Sequence, residues 1–303
     1  MPDTTVMYAE PLVTEMKAKI SKQVGELKDD RGVSPKLVAL LIGREPVSRT
    51  YVDLKRNDCA QVGILSEVRD LSSLPKEEAA EKLPRLLKEL NSDPSVSAVI
   101  PQIPFDGRVK EEEVFSILSP DKDVDGLTPF RLGKLLRKEY SLESSLLPCT
   151  PKGVILLVKR YNVTVAGADV AIIGRSTLVG EPLRKMFQDL DATATCYHTR
   201  SKHMRERIKE ADIVVAASGR PPEIYGISGF RVSRDLVKEG SVVIGVGVKK
   251  HEGTGKMLFD VDTKSLRGHC SFVTPNTGGV GAMTRAVLLE NTLIAAKLQS
   301  RKS

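Results

Sequence analysis

Apolar residues along the chain follow two different periods. Over residues 11–27 they recur at helical spacing, whereas Lys36-Leu37-Val38-Ala39-Leu40-Leu41-Ile42 is an almost unbroken apolar run of strand length. A strand apolar on both faces must be covered on both, which predicts a parallel sheet flanked by helices. After Gly43 the pattern predicts a loop through Pro46, an N-cap at Ser48 and a helix to about Val62, stopped by Gly63. A short strand at 65–68, an amphipathic helix at 75–90 and a strand at 96–100 complete a β-α-β-α-β rhythm. Two prolines in Pro101-Gln102-Ile103-Pro104 remove backbone donors, so the chain is expected to leave the sheet there, with Gln102 near the ligand end of the sheet. A helix at 109–118 follows.

The segment Pro148-Cys149-Thr150-Pro151 marks a boundary, with Thr150 as N-cap of a helix to about Tyr161. Strands at 169–173, 193–197, 213–216 and 241–246, with helices between them, then form a second βαβ series. The fold class expected is α/β, with two three-layer α/β domains and a cleft between them. Residues 1–149 form a catalytic domain, and 150–281 form a Rossmann-like dinucleotide-binding domain. An apolar helix over 282–303 packs back on the first domain.

Composition narrows the function little. The chain has 303 residues, 41% hydrophobic and 28% charged, as in ordinary globular proteins. Its net charge of +7 favours anionic ligands, but no basic run carries interleaved aromatics, so no nucleic-acid partner is expected. The four cysteines, Cys59, Cys149, Cys196 and Cys270, lack metal-ligand spacing and predict a reducing compartment without a zinc site. No apolar run reaches membrane-spanning length, so no membrane association is expected. The N-terminus lacks a signal-like pattern, which makes the cytoplasm the expected location and a mitochondrial matrix the alternative.

Three places carry candidate chemistry. In the helix after Pro46, Val52, Cys59 and Val62 form an apolar stripe, and Lys55 occupies a position on that stripe. Its amine either snorkels to solvent or sits partly desolvated with a lowered pKa, and in the second case it can act as a general base. Tyr51, one turn earlier, either stacks on a flat heterocycle beside Lys55 or belongs to the core. Asp121, Asp123 and Asp125 precede Gly126 but lack the downstream glutamate of a calcium loop. That leaves a solvated turn, or a carboxylate that holds the N–H groups of a ligand. The third place is the turn Gly174-Arg175-Ser176 with Val179-Gly180, where backbone N–H groups and a helix start suit a pyrophosphate, or simply join a strand to a helix. At the end of the next strand, Tyr197-His198-Thr199-Arg200-Ser201-Lys202 has two cations and no acid. An acid there would hold a ribose 2′-hydroxyl, so its replacement by cations favours NADP over NAD.

Taken together, S-x-x-Y-V-x-x-K (Ser48 to Lys55), P-Q-I-P (Pro101 to Pro104), P-D-K-D-V-D-G (Pro120 to Gly126), P-C-T-P-K-G (Pro148 to Gly153), G-R-S-x-x-V-G-x-P (Gly174 to Pro182) and G-G-V-G-x-M-T (Gly278 to Thr284) occur in the order of one family. The chain resembles the bifunctional methylenetetrahydrofolate dehydrogenase/methenyltetrahydrofolate cyclohydrolases over nearly its whole length. The resemblance implies NADP-dependent oxidation of 5,10-methylenetetrahydrofolate, and hydrolysis of the product to 10-formyltetrahydrofolate, in one-carbon metabolism that feeds purine biosynthesis. A dehydrogenase without hydrolase activity and a non-catalytic folate- or nucleotide-binding regulator are the alternatives.

By the same resemblance, Lys55 is the hydrolytic lysine, Gln102 orients it, Asp125 binds the pterin edge and Tyr51 stacks on the folate. Val52, Pro101, Ile103, Thr277, Gly278, Gly279, Val280 and Gly281 contact substrate. Gly174, Arg175, Ser176, His198, Thr199, Arg200, Ser201, Gly219 and Val248 hold NADP. Tetrahydrofolate derivatives are the implied partners, together with a second copy of the chain in a homodimer. The chain departs from the family pattern at Asn276-Thr277, where Val-Pro is usual, at Ala282, where proline is usual, at Pro101, and at Phe259, where a glycine usually precedes Asp-Val.

Overall fold

The computed structural model describes residues 3–107 and 109–301, except for the side chains of Pro46 and Val47. In chain order, β1 (Thr5–Val6) and α1 (Glu10–Arg31) precede β2 (Lys36–Leu41), α2 (Pro46–Gln61), β3 (Leu65–Asp70), α3 (Lys76–Ser92), β4 (Ala98–Gln102), α4 (Glu111–Ile117) and α5 (Pro129–Leu136). They are followed by α6 (Cys149–Arg160), β5 (Asp169–Ile173), α7 (Gly180–Gln188), β6 (Thr193–Tyr197), α8 (Met204–Glu210), β7 (Ile213–Ala216) and α9 (Pro222–Tyr225). The chain closes with β8 (Val242–Gly245), β9 (Val248–Lys250), β10 (Met257–Phe259), α10 (Thr263–Leu266), β11 (Phe272–Val273) and α11 (Val280–Gln299). Two compact bodies result: residues 14–149 with those from Arg285 onward, and the residues up to Val13 with 150–284.

The first body is built on a parallel sheet of order β3-β2-β4. Leu37 through Leu41 of the central strand are all buried, as an apolar run on both faces requires. The prolines do not end β4 at Ile100: Pro101 pairs with Leu40 and Gln102 with Leu41. Because β4 is an edge strand, the residue without an N–H can face the open side. Helix α2 starts at Pro46 with Glu45 as its cap residue, so Ser48, the expected cap, is a buried residue of the first turn instead. Proline preset to helical φ at the first position explains the earlier start.

The second body carries a six-stranded, all-parallel sheet of order β1-β11-β8-β7-β5-β6. The chain proceeds outward from β5 in opposite directions, to β6 on one side and to β7 and β8 on the other, which makes the carboxyl end of β5 a topological switch point. Residues 1–149 therefore do not stay together, since β1 pairs with β11 (Thr5 opposite Phe272). A two-residue strand has no readable period, so nothing local announced this pairing. The antiparallel hairpin β9–β10 was equally silent. Helix α6 begins at Cys149, which puts the expected cap Thr150 inside the helix, its Oγ1 at 3.1 Å from Thr284 Oγ1.

In the first body a buried carboxylate shapes the loop after α4. Asp123, fully buried, accepts from Gly126 N at 2.9 Å through Oδ1 and from Thr128 N at 2.7 Å through Oδ2. Asn291 of α11 holds the same loop from behind, with Nδ2 donating to the carbonyls of Val124 at 2.8 Å and Leu147 at 2.9 Å. Replacing Asp123 by alanine leaves two backbone donors without acceptors, and urea denaturation should show a loss of about 2–4 kcal/mol with an unchanged m-value.

Candidate active site

Helix α2 brings Lys55 to the end of β4. Val52, Cys59 and Val62 are buried along its inner stripe, and Lys55, between them, is half-buried. Its Nζ donates to Gln102 Oε1 at 2.7 Å, and Gln102 Nε2 donates to the carbonyl of Ile103 at 2.9 Å. That second bond fixes which end of the amide faces the lysine. The amine does not snorkel away: desolvation holds its pKa below the ordinary lysine value, and the nearby charge of Asp125 opposes the shift without cancelling it. Burial pushes the neighbouring Cys59 thiol up to about 12, which removes it as a nucleophile near neutrality.

Asp125 sits half-buried on the loop that Asp123 shapes. The two acids of the D-V-D segment thus divide the work, one inward as a backbone acceptor and one toward Lys55. Burial raises the pKa of Asp123, and its backbone hydrogen bonds counter that rise. Tyr51 is half-buried one helical turn before Lys55, Val52 and Pro101 are buried, and Ile103 is half-buried. Among the described residues no group of three or more His, Cys, Asp or Glu side chains could hold a metal ion. Sequence reasoning missed Asn291 and the inward role of Asp123. Only the alternation of acids in the D-V-D segment hinted at the latter.

In the second body the turn after β5 is closed by glycine. Gly174 has φ of +130°, and a Cβ built on it would lie 2.4 Å from the carbonyl oxygen of Ala217. A Cβ on Gly180, at the start of α7, would lie 2.3 Å from the carbonyl oxygen of Gly174. Strand, turn and helix therefore touch through bare backbone, with Ser176 Oγ accepting from Val179 N at 3.2 Å. In this cradle, at the α7 N-terminus, Val179 N and Glu181 N are already taken by Ser176 and Pro182 has no N–H, so an anion here would meet the turn backbone and the positive end of the helix dipole rather than a row of free donors. Arg175, Thr199 and Arg200 are exposed around it, and His198 and Ser201 close the turn after β6 (His198 N to Ser201 Oγ, 3.0 Å). This chemistry fits a dinucleotide carrying a 2′-phosphate: glycine backbone for the pyrophosphate, cations and hydroxyls for the phosphate, and no acid in the turn 198–202 after β6. Gly219, with φ of +59°, follows β7, and Val248 opens β9. Thr277 to Gly281 lie in this second body ahead of and at the start of α11, and Gly278 accepts from Ala9 N at 2.8 Å.

An all-parallel sheet with a glycine cradle at its switch point, and a separate parallel sheet that presents a desolvated lysine, define an α/β protein of the dinucleotide-binding enzyme class. Residues 7–125 match the family model of the tetrahydrofolate dehydrogenase/cyclohydrolase catalytic domain, and residues 148–300 match that of its NAD(P)-binding domain. The chain belongs to the tetrahydrofolate dehydrogenase/cyclohydrolase family. It is 43% identical over 269 residues to the bifunctional protein FolD of Pyrobaculum aerophilum, covering 88% of this chain and 86% of that one. It is 37% identical over 292 residues to FolD of Bacillus cereus, covering 96% of each. The crystal structure of the bifunctional FolD enzyme from Campylobacter jejuni superposes with a TM-score of 0.87 at 34% identity, covering 97% of this chain and 99% of that one. The Trypanosoma brucei enzyme, solved with NADP and an inhibitor, gives 0.88 at 27% identity, covering 99% of this chain and 100% of that one.

The Lys55 amine should titrate below the ordinary lysine value when followed by carbon NMR at Cε. Replacing Asp125 by asparagine removes the opposing charge and should lower it further; an unchanged midpoint in that variant would break the proposed coupling.

Proposed function

We infer that the protein oxidises 5,10-methylenetetrahydrofolate to the 5,10-methenyl form with NADP, and hydrolyses that product to 10-formyltetrahydrofolate. The observation that carries the reading is Lys55 Nζ held at 2.7 Å from Gln102 Oε1 with a lowered pKa. Bound NADP supplies the hydride acceptor; the chain needs to supply position, because the folate nitrogens stabilise the cation that remains. Gly174, Arg175, Ser176, His198, Thr199, Arg200, Ser201, Gly219 and Val248 hold the dinucleotide. Tyr51 stacks on the folate, Asp125 binds its pterin edge, and Val52, Pro101, Ile103 and Thr277 to Gly281 complete its contacts.

Hydrolysis uses Lys55 as general base. Water adds to the methenyl carbon while its proton passes to the neutral Nζ, and Gln102 holds the amine in place. The adduct's hydroxyl then loses its proton to solvent as its oxygen becomes the formyl carbonyl, the bond from that carbon to N5 breaks, N5 takes the proton held on Nζ, and the formyl group stays on N10. A neutral amide beside the amine makes a hydrogen bond without fixing the proton, which suits a base that must exchange it every turnover.

The scattered cysteines, none of them in a disulfide among the described residues, support a cytoplasmic setting, and no helix of the described residues is long and apolar enough to cross a membrane. Strand β6 at the edge of the large sheet, with an open ladder, supports pairing with a second copy in a homodimer. The formyl product is of the kind consumed in purine biosynthesis.

Purified protein should reduce NADP in the presence of the methylene folate and hydrolyse the methenyl compound. Absence of both activities would refute the reading. Lys55→Met should cut hydrolysis by roughly 10²- to 10⁴-fold; hydrolysis at the unchanged rate would favour a dehydrogenase alone, with water attacking unaided. In the wild type, hydrolysis should rise with pH as Lys55 loses its proton, with a midpoint below the ordinary lysine value because burial favours the neutral amine. A rate that falls through that range would exclude Lys55 as the base.

A further inference from the structure

Asp260 follows β10 and is completely buried, yet it belongs to none of the residues assigned to NADP or folate. Its Oδ2 accepts three hydrogen bonds from the loop after β7: from Ser218 N at 2.7 Å, Ser218 Oγ at 2.8 Å and Gly219 N at 2.8 Å. Its backbone N donates to the carbonyl of Gly247 at 3.0 Å, and its carbonyl accepts from Val232 N at 2.8 Å. One residue therefore ties together the loop after β7, the loop after β8 and the segment around Val232 between α9 and β8.

The loops it joins meet at the carboxyl ends of the central strands. Val246 N and Gly247 N both donate to the Ala216 carbonyl, at 2.8 and 2.9 Å. Ala217 is the residue whose carbonyl oxygen crowds Gly174 in the cradle. Gly247 is the residue that admits the carboxylate, since a Cβ there would lie 1.9 Å from Asp260 Oδ2. The other oxygen, Oδ1, is buried with no hydrogen-bond partner among the described residues. Left to itself, a half-exposed loop such as Ala217-Ser218-Gly219 samples many shapes, and ordering it would be charged against ligand binding. Three charge-assisted bonds to one fixed oxygen remove that cost in advance.

We infer that Asp260 is a positioning residue for the dinucleotide: it holds Ser218 and Gly219 in the shape that receives NADP, without touching the ligand. The inference rests on the NADP reading above. Asp260→Asn preserves the shape but removes the charge, and it sets an amide nitrogen either against three donors or in the place of Oδ1. In the first arrangement the loop loses its anchor; in the second the amide oxygen still accepts, but without charge, and buried N–H donors stand where Oδ1 had no partner.

The test is calorimetric titration of the full chain with NADP, together with amide hydrogen exchange of Ser218 and Gly219 in the absence of ligand. In the wild type these two amides should be protected although their loop is half-exposed. In Asp260→Asn they should exchange faster, NADP should bind about 10- to 100-fold more weakly, and the KM for NADP should rise by more than kcat falls. Gly247→Ala, which displaces the carboxylate from the other side, should show the same pattern. Ser218→Ala, which keeps both backbone bonds, should show a smaller version and remains available if the others fold poorly. Unprotected amides in the wild type, or variants whose affinity stays within about twofold, would overturn the inference and leave the functional reading standing. A wild-type chain that binds no NADP would overturn that reading and the inference with it.

Discussion

A single constraint governs the chemistry of the first body: an amine must be kept out of water without being given a full ion pair. Desolvation of Lys55 favours the neutral base, and the charge of Asp125 favours the ammonium. Each factor of ten in that balance is worth about 1.4 kcal/mol, so a carboxylate in place of Gln102, at 2.7 Å, would favour the ammonium. A neutral acceptor at that distance holds the amine still and leaves its charge free to change. Apolar Val52, Cys59 and Val62 on the same helix stripe draw α2 inward and carry the lysine with them. The burial that stabilises the helix is thus the burial that tunes Lys55.

Both bodies handle their loops by the same physical device. Asp123 gives its two oxygens to Gly126 N and Thr128 N, and Asp260 gives one oxygen to Ser218 N, Ser218 Oγ and Gly219 N. In each case the buried charge is stabilised by backbone and hydroxyl dipoles. A loop held in this way keeps one shape with few apolar contacts of its own, which suits segments that must stay open to ligands. Glycines let the backbone come this close. Gly174 and Gly180 do so around the dinucleotide cradle, where contacts between main chains leave no room for a side chain.

Much of this was legible along the chain. Unbroken apolar runs announced β2 and the strands β5, β7 and β8, and the stripe of α2 singled out Lys55 because a cation on an apolar face needs a reason. The cations at the end of β6 and the glycines after β5 indicated the ligand before any coordinates. Where reading along the chain failed, the cause was non-local. Pro101 stays in its strand because β4 lies at an edge, a fact of sheet order. Thr5–Val6 joins a sheet whose partner strand lies more than 260 residues further on, and Asn291 reaches Val124 across 167 residues.

The sequence by itself determined the type and approximate place of the long elements, because the period of apolar residues is a local property that each segment carries alone. It also determined the residue types available for chemistry. Only the tertiary structure decided which of those residues meet: Gln102 and not another amide beside Lys55, Asp123 turned inward and Asp125 outward, Asp260 beneath the loop of Ser218. Proximity between distant segments comes from packing layers and sheet order, where each partner is chosen by burial shared across the whole fold, and no stretch of chain carries that choice alone.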